Sequence, residues 1–85
     1  MTKAIYRPEH EVFLQLLRQL RIESELTQAQ CSNALGRPQS FMSDVERGVR
    51  RLDIVQIHDL CVVLGTTLSE FAAAYERELG KSRDS

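Results

Sequence analysis

Apolar side chains recur along this chain with the spacing of an α-helix and show no strand-like alternation. The first apolar stripe predicts a helix over about 9–23, and Pro8 suits its first turn because proline lacks the N–H that a helix start leaves unpaired. Two further stripes predict helices in the second half of the chain. The three stripes are Val12, Phe13, Leu16, Leu17 and Leu20; Ile57, Leu60, Cys61 and Leu64; and Leu68, Phe71, Ala72, Tyr75 and Leu79.

Cap and turn residues outline two shorter helices between these stripes. Thr27 and Gln30 have the spacing of a capping box, and Gly36 ends a helix over about 27–35. Pro38 is placed to begin the next helix, which ends near Arg47–Gly48. We expect the second helix to face inward with Cys31, Ala34 and Leu35, and the third with Phe41, Met42 and Val45.

The same signals bound the last two helices and the domain. Asp53 is a plausible N-cap, Gly65 stops the fourth helix, and Thr67 with Glu70 forms a second capping box. We therefore predict an all-α, compact five-helix domain over 9–79. Residues 1–8 form an N-terminal extension and residues 80–85 a polar tail that is expected to fray.

Length and composition narrow the class of protein. A chain of 85 residues suffices for one domain and one core. No apolar run approaches the ~20 residues that span a bilayer, and the N-terminus lacks the apolar segment of a signal peptide, so we expect no membrane association and a cytoplasmic location. Cys31 and Cys61 are expected to be reduced, buried thiols, because no CxxC or Cys/His ligand spacing is present.

Charge is distributed unevenly along the chain. The formal net charge is −1, which argues against a strong nucleic-acid binder. However, Arg37, Arg47, Arg50 and Arg51 cluster between Gly36 and Arg51, and most acidic residues lie elsewhere. An uneven field of this kind can steer DNA to one face. Beside these arginines, the exposed face of the third predicted helix carries short polar residues at Gln39, Ser40, Ser43 and Asp44.

These residues together resemble the Cro/cI-type (XRE) helix-turn-helix family, over roughly residues 12–72. The resemblance is carried by Leu26-Thr27-Gln28, by Leu35-Gly36, by Gln39-Ser40-x-x-Ser43-x-x-Glu46-Arg47-Gly48-x-Arg50-Arg51, and by Leu64-Gly65. It implies a lambda-repressor-like domain in which the second and third helices form the helix-turn-helix. The third helix would then enter the major groove.

The resemblance also implies a role for each matching position. Base-reading residues would be Gln39, Ser40, Ser43 and Asp44, and phosphate-binding residues would be Gln28, Arg37, Arg47, Arg50 and Arg51. Arg21 and Glu46 would form a structural ion pair between the first and third helices. Glutamine suits adenine, serine suits several bases, and a carboxylate accepts from cytosine N4, while guanidinium groups bind phosphate.

Several positions leave alternatives open. Many relatives carry a basic or amide residue at Asp44, and often glycine at Glu25, so both departures bear on DNA affinity. Phe41 could contact a thymine methyl group, although core packing is favoured, and Arg37 could reach a phosphate or simply lie in solvent. Tyr75 and Leu79 could form a dimer seam, which we favour, or pack on the first helix.

The function expected from the resemblance is a sequence-specific transcriptional regulator. It would act as a homodimer on a palindromic operator, most simply as a repressor in a phage or plasmid, restriction–modification or antitoxin-like setting. The alternative is a scaffold that binds another protein, such as a toxin or a polymerase component. His10 and His58 lack metal-ligand spacing and no catalytic motif is present, so we expect no enzyme activity, metal, cofactor or small-molecule ligand.

Overall fold

The computed structural model describes residues 7–84, with the side chains of residues 7–81. Every regular element in this part of the chain is a helix, as the apolar pattern predicted. The helices are α1 (Pro8–Glu23), α2 (Gln28–Ala34), α3 (Phe41–Glu46), α4 (Ile54–Val63) and α5 (Leu68–Asp84). Residues 1–6 of the predicted N-terminal extension and Ser85 of the predicted tail lie outside the described residues.

All five helices contribute to one core, in which most of the predicted apolar positions are buried or half-buried, whereas Ala72 of the predicted α5 stripe is exposed. The buried cluster is Leu17, Cys31, Phe41, Met42, Val45, Leu60, Cys61, Leu64 and Phe71. Both cysteines are free, as expected. Burial raises the pKa of each thiol above its ordinary value, and in Cys31 the nearby Arg21 partly offsets that effect. Both therefore pack as neutral small hydrophobes.

The first four helices end in the same way, with a residue of positive φ after the C-cap. These residues are Glu25 (61°), Gly36 (69°), Gly48 (81°) and Gly65 (77°). After α2, the Gly36 N–H bonds to the Asn33 carbonyl at 2.9 Å and the Arg37 N–H to the Ser32 carbonyl at 3.0 Å, which is a Schellman motif. After α1 the glycine position is taken by Glu25, whose Cβ strains that conformation.

Capping boxes start two of the helices. The Thr27 hydroxyl accepts from the Gln30 N–H at 3.0 Å while the Gln30 amide oxygen accepts from the Thr27 N–H at 2.9 Å, as predicted. Asp53 and Gln56 repeat this arrangement at α4. At α5, Thr67 Oγ1 accepts from the Glu70 N–H, and the Glu70 carboxylate accepts from the Thr66 hydroxyl.

Three details of the prediction were wrong. α3 begins at Phe41, because Pro38 to Phe41 form a turn closed by a 2.9 Å bond from the Phe41 N–H to the Pro38 carbonyl. In α2, Ala34 is exposed and Ser32 is buried. The α5 helix continues to Asp84, through most of the polar segment 80–85 that was expected to fray.

Tyr75 packs within the protomer, on α1, and not as the favoured dimer seam. Its hydroxyl donates to the Glu9 carbonyl at 3.2 Å, and its ring stands edge-on to Phe13 at 6.3 Å between centroids. The ring of Phe71, also on α5, is edge-on to the same Phe13 ring, with 5.8 Å between the centroids. α5 is thereby joined to α1 by aromatic packing and one hydrogen bond, which is the second of the two arrangements considered for Tyr75.

In residues 7–84, no single helix is long and apolar enough to cross a membrane. Only α4 and α5 taken together, which are bent by 100° at their junction, meet the length and composition of a span.

Candidate nucleic-acid interface

The unit formed by α2, the turn and α3 is held together by a buried serine. Ser32 is fully buried, and its hydroxyl accepts a hydrogen bond from the Met42 backbone N–H at 2.9 Å. This N–H lies in the first turn of α3, where a helix leaves its donors without intrahelical partners. Ser32 therefore fixes the start of α3 against α2, and its small side chain lets the two helices approach closely.

A buried ion pair fixes the other end of α3. The Glu46 carboxylate accepts from Arg21 Nε at 2.6 Å and from Arg21 Nη2 at 3.1 Å, which is a bidentate pair. The two side chains are only 11% and 6% exposed. Arg21 Nη1 also donates to the Leu26 carbonyl at 2.8 Å. The structural pair implied by the resemblance is thus present and links α1, the following turn and α3.

Gln28 extends this network to α2. Its Nε2 donates to Glu46 Oε1 at 2.8 Å, so the residue assigned to a phosphate also stabilises the carboxylate that holds α3. The amide nitrogen has a second N–H, which can serve a phosphate. The hydrogen bonds that Arg21 donates to Glu46 raise the pKa of the Arg21 guanidinium above its ordinary value, against the opposing effect of burial, so Arg21 stays charged.

The exposed surface in front of this network carries the predicted base-reading residues. Gln39 and Ser40 are both exposed. They lie in the turn that precedes α3, whereas a helix beginning at Pro38 would have placed them in its first turn. Ser43 and Asp44 are half-buried one turn further on. The four polar residues thus follow one edge of α3, with the first two projecting furthest.

Two arginines lie over one aromatic ring at this edge. The guanidinium carbon of Arg37 is 5.4 Å from the centroid of the Phe41 ring, and that of Arg50 is 5.0 Å from it. Phe41 itself is only 5% exposed and belongs to the core, as favoured. Cation–π contact therefore places a positive charge from each side of α3 beside Gln39 and Ser40.

Asp44 and Arg47 are already paired with each other. The Asp44 carboxylate accepts from Arg47 Nη2 at 2.6 Å, and the side chains are 34% and 64% exposed. An exposed pair of this kind contributes ~0–1 kcal/mol, so a ligand can replace it at small cost. In the free protein it neutralises one of the arginines that were assigned to phosphate.

Arg51, also predicted to bind phosphate, does not join Arg37 and Arg50 at the Phe41 ring. It lines a separate open cleft of about 440 Å³ between the start of α1 and the middle of α5, together with Arg7, His10, Phe13 and Tyr75. Neighbouring residues of an open loop project in different directions, which explains why Arg50 reaches Phe41 and Arg51 does not. The positive surface at α3 consequently contains Arg37, Arg50 and the paired Arg47.

Comparison with known proteins identifies this arrangement. The family model for the helix-turn-helix domain matches residues 13–74, which is well over half of the chain. A solved structure described as an XRE-family like protein from Pseudomonas syringae pv. tomato str. DC3000 is similar, with 36% identity and a TM-score of 0.79 over 89% of this chain and 93% of that one. This chain belongs to the XRE-type helix-turn-helix family. The comparison with curated proteins gave no match.

In this helix-turn-helix family member, sequence reasoning missed two residues of the site, Ser32 and Asn33, and one hydrogen bond. Ser32 was passed over because serine in an apolar stripe gives no signal unless the helix register is known. Asn33 was missed because it lies between the two segments Leu26-Thr27-Gln28 and Leu35-Gly36 that carry the resemblance. It lines a shallow cleft of about 280 Å³ with Ala29, Arg37 and Gln39, where its exposed amide adds a donor and an acceptor. The bond from Gln28 to Glu46 was not foreseen either.

The remaining candidate chemistry lies away from the helix-turn-helix surface. His10 is half-buried and stacks on Phe13 at 5.8 Å between ring centroids, and His58 is exposed on α4. Among the described residues, no group of three or more His, Cys, Asp or Glu side chains could hold a metal ion.

Proposed function

We propose that this chain is a sequence-specific transcriptional regulator that binds double-stranded DNA in the cytoplasm as a homodimer on a palindromic operator, and represses by covering a promoter. The observation that carries the proposal is the convergence of exposed Gln39 and Ser40 with Arg37 and Arg50 at one edge of α3. Its family membership is the second support.

The proposed mechanism divides the contacts into two kinds. Arg37 and Arg50 bind backbone phosphates, release counterions and set the register of α3 in the major groove. Gln39 then reads a base edge, for which its amide matches the N6/N7 pair of adenine, and Ser40 reads an adjacent base. Two copies related by two-fold symmetry place their α3 helices about one DNA turn, or ~34 Å, apart.

Asp44 has a conditional role in this mechanism. On leaving Arg47, its carboxylate can accept from cytosine N4, and the released guanidinium can move to a phosphate. On sites without cytosine at this position, the pair remains and Arg47 stays unavailable to phosphate. Asp44 is thus proposed to add specificity at one base pair at the expense of general affinity.

The test is binding to the DNA upstream of the protein's own gene, measured by fluorescence anisotropy across a salt series. A scrambled duplex of the same length and composition serves as the control. We expect the upstream duplex to bind at least ~10³-fold better than the scrambled one, with affinity falling steeply as salt rises. Arg50→Ala should weaken binding to both duplexes and reduce the slope of the salt dependence by about 1. Arg77→Ala, at an exposed position of α5, should change neither the affinity nor the slope.

Equally weak binding to both duplexes would contradict the proposal. It would favour the second candidate, a helix-turn-helix scaffold that binds a protein. That candidate is supported by the net charge of −1 and by the neutralisation of Arg47 by Asp44. A pull-down with the purified chain would then replace the search for an operator.

A further inference from the structure

The outer side of α4 exposes apolar side chains that the helix-turn-helix site does not use. Val55 and Val62 are 66% and 64% exposed, and Ile54 beside them is 66% exposed. The opposite side of the helix, with Leu60, Cys61 and Leu64, is buried in the core. Residues 55 and 62 are two turns apart and therefore lie on the same side of α4.

A basic residue, His58, and an acidic residue, Asp59, lie between the two valines. His58 and Asp59 lie about one turn after Val55, and their side chains are 60% and 62% exposed. Within the protomer, His58 Nδ1 and Asp59 Oδ1 are 3.8 Å apart, which is too long for a hydrogen bond. The stripe along the outer side of α4 thus reads valine, histidine, aspartate, valine.

This stripe is complementary to itself when a second copy is laid across it in the antiparallel direction. A two-fold axis that crosses α4 between residues 58 and 59 sets Val55 against the partner subunit's Val62, and His58 against the partner subunit's Asp59. Each contact then occurs twice, as an isologous interface requires. The imidazole can donate to the carboxylate in either protonation state, and the valines exclude water on both sides.

We propose that α4 forms the homodimer interface of this protein, through antiparallel packing of Val55, His58, Asp59 and Val62 against the same residues of a second copy. The inference deepens the proposed homodimeric regulator, and it replaces Tyr75 of α5, whose hydroxyl and ring are engaged by α1. Four side chains from each copy form a smaller contact than the ~1,200–2,000 Å² that a standard interface buries, so we expect a weak dimer. Binding of both copies to one operator then strengthens the association.

The register of the proposed interface can be tested by cysteine cross-linking without DNA. In the proposed pairing, residue 55 faces residue 62 of the second copy. The two copies of residue 55 are therefore about 10.5 Å apart along the helix axis, and so are the two copies of residue 62. This separation exceeds the ~4.4–6.8 Å between Cα atoms in a disulfide. We therefore expect Val55→Cys alone to stay uncross-linked under mild oxidation, Val62→Cys alone likewise, and an equal mixture of the two to form a covalent dimer. Cross-linking of either single variant with itself, or none in the mixture, would overturn the proposal.

Sedimentation equilibrium over a concentration series provides the second measurement. Val55→Asp should abolish dimerisation, whereas Val49→Asp, at a valine 61% exposed outside α4, should leave it unchanged. His58→Asp should weaken the dimer by opposing two carboxylates, and the double variant His58→Asp/Asp59→His should restore it. A wild-type chain that stays monomeric, or a dimer that survives Val55→Asp, would refute the interface. Because no DNA is present, these results are independent of whether the chain binds an operator.

Discussion

The two sides of α3 are built from different interactions, and the difference separates stability from recognition. The inner side is held by Arg21, Glu46 and Ser32, which are buried and bonded to several partners. The outer edge presents Gln39 and Arg50, which are exposed and joined to the protein by little more than the Phe41 ring. Changes on the inner side should therefore reduce the stability of the fold, and changes on the outer edge should reduce DNA binding alone.

The largest effect is expected at the ion pair. Glu46→Ala leaves Arg21 buried without its carboxylate and Gln28 without its acceptor. The free energy of unfolding should fall by ~3–5 kcal/mol, because breaking a buried pair leaves an uncompensated charge. Urea unfolding followed by circular dichroism measures it, with Glu76→Ala on exposed α5 as the control. A loss below ~1 kcal/mol would show that the pair does not hold α3.

The next effect is expected at the outer edge. Gln39→Ala should weaken binding to the operator by ~1–3 kcal/mol and relax preference at one base pair, with unfolding unchanged. Selection from randomised duplexes, followed by sequencing, reads both the affinity and the base preference. Preserved specificity in this variant would place the base-reading contact elsewhere, and Asn33→Ala would then be the first alternative to examine.

Asp44 sharpens the comparison, because it belongs to the outer edge and yet carries the wrong charge for DNA. Asp44→Asn removes a negative charge and releases Arg47 from its pair. Binding to scrambled DNA should increase by up to about fivefold, since an exposed charge interaction is worth ~1 kcal/mol. The same variant should lose preference for cytosine at one operator position.

The control for this variant is Glu76→Gln, which alters charge by the same amount on α5. If Asp44→Asn left binding to scrambled DNA unchanged in anisotropy measurements, Asp44 would not lie near phosphates. The α3 edge would then require a different orientation on DNA.

The smallest effect is expected at the end of α1. Glu25 has φ of 61°, the conformation that glycine adopts at the ends of α2, α3 and α4. Glu25→Gly removes a strain of roughly 1–2 kcal/mol, partly offset by the greater freedom of glycine in the unfolded chain. Thermal unfolding should show a gain of up to about 1 kcal/mol. Glu25→Ala keeps the strain and should show no gain, and equal stabilisation by both variants would indicate a charge effect instead.

The sequence predicted most of the fold because its local signals agree with one another. The Thr27–Gln30 capping box, the glycine at Gly36 and the apolar stripes each specify a helix or its end, and the family motif links α2 to α3. These signals are local, so they survive without knowledge of the tertiary arrangement.

The features that escaped prediction depend on contacts between distant parts of the chain. The burial of Ser32 is decided by how closely α3 approaches α2. The packing of Tyr75 on Glu9 joins residues at opposite ends of the domain, and nothing local distinguishes it from a dimer contact. The directions of Arg50 and Arg51 differ because of the path of one loop, which consecutive arginines do not reveal.

The most direct test of this account is a map of backbone amide chemical shifts on adding the operator duplex to the ¹⁵N-labelled protein. We predict that the largest changes fall in residues 27–30, 37–44 and 48–50, which form the outer edge of α3 and its flanks. Residues 68–81 of α5 should move little. Changes concentrated on α5, with the turn before α3 unaffected, would contradict the claim that this edge reads DNA.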